Sequence, residues 1–408
     1  MKIFLVTMLV ALKATAFCAT QHAYVTELGS NSVSIIDVDR NTVQKIFGFS
    51  SPHTIRVTFD GTAAYVGDND NGIYKINCWD NTVTKVATLS GHPISFCIVP
   101  DASYLYCATH NDTVAIVDLN THTLVTEIAC LNGPQDIRCT LDGKFVYVTN
   151  KGNGTISVID TNTQMLVKTI EGFKFPVGIT FDLNGNFAYI SDSHDNLVYV
   201  ISMSDHTIVD KILGFSKPSY IAMDPDKNTA YISNTGNDTI SVLRLSDHFI
   251  TNTVPVPRPT AISVTLDGLY LYVASSLTDI IKLNIIDQTI ESVIPELKNP
   301  SNISISFNNG PADSVNAWQV VSNPTAPYNQ IAWEKPAGNP SQYRIFRDSR
   351  YEDLITTIPG SSNSLLYNDE QLTTGQTYSY YVVADYDNGF SSSIGGITVT
   401  PDRVGLPR

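Results

Sequence analysis

The chain has 408 residues, 43% of them hydrophobic, enough for a sizeable core and two domains. Its formal net charge of -14 argues against a protein that tracks nucleic-acid phosphates, which needs a basic face, and suits an acidic protein that stays monomeric outside the cytoplasm. The six cysteines include no CxxC pair, so metal-ligand spacing is absent, and no recognisable cofactor-binding loop occurs; neither metal nor cofactor is expected.

The first segment, residues 1–19, reads as a secretion signal: Lys2, an apolar run from Ile3 to Leu12, and small residues at Ala14-Thr15-Ala16. Such a run is too short for a stable membrane anchor, and no later segment is apolar enough to cross a bilayer. The mature chain is therefore expected in the periplasm, at the cell surface or secreted, with no transmembrane segment.

Residues 20–310 carry an internal repeat. Tyrosines recur at Tyr24, Tyr65, Tyr106, Tyr147, Tyr189, Tyr231 and Tyr272, 41 or 42 residues apart. Each opens the same unit, clearest at residues 147–188. Tyr147-Val148-Thr149 is a strand, Asn150 to Gly154 a turn, and Ile156 to Asp160 a second strand. Leu166 to Ile170 is a third strand, and Pro176 opens a fourth that ends at Phe181. The prolines are equally regular, at Pro52, Pro93, Pro134, Pro176, Pro218, Pro259 and Pro300. They are followed by turns such as Asp142-Gly143 and Asp267-Gly268. A twisted four-stranded sheet cannot bury both faces alone, but radial packing buries sheet against sheet. The reading is an all-β chain forming a seven-bladed β-propeller. The phase leaves Pro300–Phe307 as a lone strand, so one blade is shared between the beginning and the end of the repeats, which removes an exposed edge.

Four residues past each proline stand Arg56, Cys97, Arg138, Thr180, Ala222, Ser263 and Ser304. Two arginines interrupt a row of small residues on the innermost strand, where a charge must find a partner or face the channel. They serve either to attract an anionic ligand or to pair with Asp37, Asp118 or Asp160. The fourth position of the repeat reads Glu27, Asp68, Thr109, Asn150, Asp192, Asn234 and Ser275. This ring suits a cation or sugar hydroxyls, or simply caps the bend. His53, His92, His110 and His194 map near one rim, as solvent-exposed loop residues or as candidate bases. The candidate ligand-binding set is therefore His53, Arg56, Asp68, His110, Arg138, Asp192 and His194; no catalytic residue is assigned. Cys97 and Cys107 lie symmetrically about Asp101-Ala102-Ser103, either facing each other across a hairpin or buried as reduced thiols.

After Gly310 the period stops. Residues 311–327 suit a linker and edge strand, and residues 328–402 form short strands that read as a β-sandwich: Ile331 to Trp333, Tyr343 to Arg347, and Tyr380 to Ala384 after Leu372–Tyr378.

The repeat resembles that of the YVTN family of bacterial and archaeal propellers. The YVTN tetrapeptide stands at Tyr147 to Asn150, with the variants YISD at Tyr189 and YISN at Tyr231. The resemblance covers roughly residues 22–310 and implies fold more than activity; relatives include surface-layer proteins, periplasmic binding proteins and, more distantly, lactonase-like propellers. The last segment resembles an immunoglobulin-like fibronectin type III domain through Trp333 and the spacing from Leu372 to Tyr378, Tyr378 matching a corner tyrosine. The expectation is an exported, non-enzymatic binding scaffold. Its propeller rim would present a protein or carbohydrate site at the cell envelope, with the sandwich as spacer or adhesive module. A lactonase-like or lyase-like hydrolytic propeller and a single-stranded nucleic-acid binder are the alternatives, the last disfavoured by the acidic positions.

Overall fold

A computed structural model describes residues 21–58, 61–78, 80–129, 131–182, 184–225, 228–276, 279–295 and 297–307, and then the strands 318–322, 329–333, 342–347, 354–359, 366–369, 378–385, 391–393 and 397–399. The expected signal segment, Cys130 and the Leu372–Thr377 stretch lie outside the described residues, as do the side chains of Trp333 and Tyr378. Among the described residues no helix is long and apolar enough to cross a membrane. The chain divides into a compact unit from Gln21 to Asn308 and a second that includes Asn309–Arg408.

Seven four-stranded antiparallel sheets make up the first unit. Blade 1 spans Pro52–Thr88, blade 2 Pro93–Ala129, blade 3 Pro134–Glu171, blade 4 Pro176–Leu213, blade 5 Pro218–Pro255 and blade 6 Pro259–Ile294. Blade 7 joins Gln21–Glu27, Ser32–Asp37 and Val43–Phe47 to Pro300–Phe307, with Tyr24 opposite Ser304 and Val25 opposite Ile303. Each proline-led strand packs against the proline-led strands of the two neighbouring blades, so the seven close a ring around a channel. The proline sits at the strand's entry, on the inner edge of its sheet, where its missing N–H breaks no interior ladder.

Burial grades outward along each blade. The second strand is almost wholly buried, as in Ala63–Asp68, while the outermost is mostly exposed, as in Met165–Glu171. The seven repeat tyrosines are all buried, and each stands directly opposite the residue four past the proline: Tyr65 opposite Arg56, Tyr106 opposite Cys97, Tyr147 opposite Arg138. Their rings pack between blades. One cluster joins Tyr147, Ile156 and Val158 of blade 3 to Ile179, Ile190 and Tyr199 of blade 4. Burying one such ring contributes roughly 2–3 kcal/mol of apolar transfer. Several hydroxyls reach the next blade: Tyr106 donates to the Thr161 carbonyl at 3.4 Å, Tyr272 to the Val38 carbonyl at 3.5 Å, and the Tyr147 hydroxyl meets His206 Nδ1 at 2.5 Å. Burial lowers the pKa of His206, which suits a neutral imidazole accepting from a phenol whose own pKa burial has raised.

The Asp-Gly turns are left-handed where expected, with φ of 71° at Gly143 and 66° at Gly268; Ala102 adopts the same conformation at 55° without a glycine. Close blade approach explains Gly178, where an added Cβ would lie 2.3 Å from the Ser219 carbonyl of blade 5.

The hairpin of blade 2 corrects one reading of its cysteines. Its ladder sets Cys97 opposite Tyr106 and Phe96 opposite Cys107. That one-residue offset puts the two sulfurs on opposite faces of the sheet, Cys107 packing toward blade 1 and Cys97 toward blade 3. Both are free thiols.

The second unit holds two antiparallel sheets. One orders Trp318–Ser322, Asn329–Trp333 and Leu366–Asp369. The other orders Leu354–Pro359, Gln342–Arg347, Tyr378–Asp385 and Ser391–Ser393, with Ile397–Val399 also pairing to Tyr378–Asp385. Tyr343 and Ile345 are buried on the second sheet, and Arg347 pairs with buried Asp369 at 3.2 Å.

Candidate functional site

All seven residues at the fourth position past the proline line one cavity of about 330 Å3 in the channel: Arg56, Cys97, Arg138, Thr180, Ala222, Ser263 and Ser304. The repeat register alone brings them together, because they are equivalent positions on seven strands arranged in a ring. Ile221, Ile262 and Ile303, each one residue earlier, add apolar wall.

The arginines do not pair with the aspartates that the sequence offered. Asp118 and Asp160 accept from backbone amides of their own turns, at Asn120 and Thr121 and at Thr163, and Asp37 accepts from the Asp39 and Arg40 amides and pairs with Arg40 at 3.1 Å. The partner is Asp136, two residues before Arg138 on the same face of the same strand, with Arg138 Nη2 3.6 Å from Asp136 Oδ2. Asp136 is 2% exposed. It accepts from Ser95 Oγ at 2.8 Å, the Ile137 amide at 3.0 Å and the Ile179 amide at 3.3 Å, which ties blades 2, 3 and 4 together. Burial raises its pKa; the Arg56 charge and these hydrogen bonds offset the shift only in part.

Arg56 reaches into the channel from blade 1. Its Nη1 donates to the Asn302 side chain on blade 7 at 3.0 Å and to the Ile55 carbonyl at 2.9 Å. Its Nη2 is buried and has no hydrogen-bond partner among the described residues. The guanidinium charge acts on Asp136, Cys97, Cys139 and Tyr220, groups on blades 2, 3 and 5. Burial pushes the Tyr220 phenol up to about 12. Cys139 lines the same cavity and packs against Cys97 across the junction of blades 2 and 3. Burial raises the Cys97 thiol, which donates toward Cys139 and lowers its pKa in turn; Cys139 also contacts the Ile98 carbonyl at 3.0 Å.

The fourth-position ring behaves differently. Asp68 is fully buried and accepts from the Ser50 and Ser51 amides at 2.6 and 2.5 Å; Asp192, also buried, accepts from Lys174 and Phe175 at 2.8 and 3.0 Å. Glu27 accepts from the Lys298 amide at 2.7 Å, and Asn234 from Ser216 at 3.3 Å. In each case the donor lies just before the proline of the same blade. The ring therefore holds the loop entering the innermost strand rather than presenting its oxygens at the mouth. Thr109 and Asn150 bond within their own turns instead. Burial raises the Glu27 pKa, but bonds from Ser34, the Lys298 amide, Lys45 and Ser30 outweigh it and hold the carboxylate below its usual range.

Of the histidines, His92 and His110 meet edge to face with ring centroids 6.2 Å apart, and His53 lies close enough to feel the His110 charge. Burial lowers the pKa of His53. His194 stands apart on blade 4, its side chain 65% exposed beside Asp195 at 3.3 Å. No group of three or more His, Cys, Asp or Glu among the described residues could hold a metal ion.

Seven sheets in a closed ring, with equivalent side chains meeting in the channel, define a seven-bladed β-propeller. A family model described as YNCE-like beta-propeller matches residues 82–284. A solved structure of a functionally unknown protein from Desulfotomaculum acetoxidans DSM 771 is 14% identical, covers 70% of this chain and 99% of its own, and superposes with a TM-score of 0.62. Hydrazine synthase from Kuenenia stuttgartiensis is 16% identical, with 69% and 92% coverage and a TM-score of 0.56. At these identities the likeness is one of fold. No curated protein matches the chain.

Proposed function

We propose that this chain is an exported, non-enzymatic binding protein whose propeller takes its ligand at the central channel. The observation that carries the reading is the departure of two equivalent positions, Arg56 and Arg138, from an otherwise small or neutral ring lining one cavity. Charges on an innermost strand are costly, and a ring that needed only to pack would hold small residues throughout. The second unit is then a fibronectin type III-like sandwich serving as a spacer or adhesive module at the envelope; a three-stranded sheet and a larger second sheet with strands exchanged between them support that reading.

The test uses the full chain. Purified protein is denatured and the small molecules it releases are compared with those from an Ala222→Trp variant, which fills the channel. The reading expects a species carried by the wild type and lost from the folded variant; identical profiles, with no ligand in either, would overturn it.

The hydrolytic alternative rests on the approach of His53, His92 and His110 at one rim. It predicts a lactone- or ester-cleaving activity that disappears in His110→Ala and survives Ala222→Trp.

A further inference from the structure

The channel's charge balance and walls narrow the ligand class, on the reading that the channel is the binding site. Two guanidinium groups, Arg56 and Arg138, line the channel of a chain whose overall charge is -14, with the buried Asp136 carboxyl beside Arg138. Asp136 already has three hydrogen bonds besides Arg138 and sits against the strands of blades 2 and 4. It balances one arginine without reaching the cavity lining. Arg56 acts on Asp136 through its charge alone and has no ion pair of its own among the described residues. One arm is fixed by Asn302 and Ile55, which sets the plane of the guanidinium, and the other arm is buried with no partner among the described residues. A fork held at one side and unfilled at the other suits a planar acceptor, since guanidinium and carboxylate meet through parallel N–H···O bonds.

The rest of the cavity is not phosphate-like. Val57, Ile221, Ile262 and Ile303 line it with aliphatic surface, and the polar groups at Thr180, Ser263 and Ser304 are single hydroxyls. A volume of about 330 Å3 admits a metabolite-sized molecule and excludes a polymer.

We propose that the channel binds a short aliphatic monocarboxylate, its carboxylate on the free arm of Arg56 with Arg138 alongside, and its carbon body against the isoleucines of blades 5, 6 and 7. Cys97 and Cys139 lie beside the Arg56 end of this site and take no covalent part in it.

The test is calorimetric titration of the full chain with butyrate and hexanoate, with butyramide as the neutral isostere and succinate and inorganic phosphate as dianionic probes. Butyrate or hexanoate should bind, butyramide should be at least about tenfold weaker, and Arg56→Gln should weaken the carboxylate by about tenfold or more. Because Arg56→Gln also removes the Asn302 contact, its thermal transition is measured alongside, and Ala222→Trp serves as a second variant that blocks the cavity without touching a charge. The proposal is overturned if neither monocarboxylate binds, if phosphate or succinate binds more tightly, or if a folded Arg56→Gln variant binds butyrate as the wild type does. In each of those cases a released ligand that still depends on Ala222 leaves the channel-binding reading standing and removes only the carboxylate. Loss of both removes both.

Discussion

Two seven-membered rings occupy equivalent repeat positions, and they behave in opposite ways. The ring at Glu27, Asp68, Thr109, Asn150, Asp192, Asn234 and Ser275 varies in residue type but keeps one role in most blades. An oxygen on the second strand restrains the loop that enters the first; Ser275 does it as a donor to the Pro257 carbonyl at 2.9 Å. The members of the ring at Arg56, Cys97, Arg138, Thr180, Ala222, Ser263 and Ser304 share no such role. They meet in the channel and do different things. Variation that preserves a bond is architecture; the charges at Arg56 and Arg138 break the pattern of the second ring and carry the proposed site. Two buried carboxylates make the same contrast. Glu27 is so well supplied with donors that its pKa falls, whereas Asp136, sharing its arginines with the channel, is left with a raised one.

The sharpest way to break this comparison is to remove a member of the restraining ring. Glu27→Ala strips the acceptor from Ser30, Ser34, Lys45 and the Lys298 amide and should cost about 3–5 kcal/mol in urea denaturation; a cost below about 1 kcal/mol would show that the ring does not restrain the loops. Gly178→Val tests the close packing of the innermost strands. Its Cβ meets a backbone carbonyl that cannot swing away, and the expected loss is roughly 2–3 kcal/mol, read from the same transition.

A pH series sharpens the contrast between the carboxylates. Glu27 has a lowered folded-state pKa, so its contribution is present at neutral pH and lost as pH falls through that value; Glu27→Gln should lose about 1–3 kcal/mol at neutral pH, and the deficit should shrink in acid. Asp136 has a raised pKa, so the sign reverses. Its protonated form is favoured on folding, and stability is lost as pH rises through the folded value. Asp136→Asn should therefore gain on the wild type between acid and neutral pH, by an amount on the order of 1 kcal/mol. Parallel curves for the two variants would remove the distinction between the two carboxylates. The smallest effect belongs to His194→Ala, outside both rings and exposed, which should stay within about 0.5 kcal/mol.

The blades were legible in the sequence because tyrosine, proline and turn recur at one spacing, and a fixed register converts spacing into place. The seven channel positions followed from that register too. What the sequence hid are contacts between blades. Asp136 belongs to a row reading Thr54, Ser95, Asp136, Gly178, Tyr220, Ala261 and Asn302, and a lone carboxylate there is inconspicuous among 39 acidic residues. The signal was present: it stands two residues from Arg138 on an alternating strand, hence on the same face. The Cys97–Cys139 contact left no such trace, because neighbouring innermost strands meet by packing rather than by a ladder whose register can be counted. The hairpin symmetry that suggested Cys107 instead misses the true ladder by one residue. The acidic ring was visible, but whether an aspartate faces a mouth or a backbone amide depends on loop approach, which spacing does not encode.

The shared blade has a consequence in time as well as in shape. Its inner strand, Pro300–Phe307, pairs with Gln21–Glu27 across nearly the whole length of the repeats. A chain emerging from synthesis thus carries six blades and three waiting strands before the last piece arrives. Until then the edge at Gln21–Glu27 is open to any extended segment nearby. Closure is the slowest kind of contact to make and the last to be available, so the final strand works as a fastener, and an agent that competes for that edge would act on the nascent protein and leave the finished one alone.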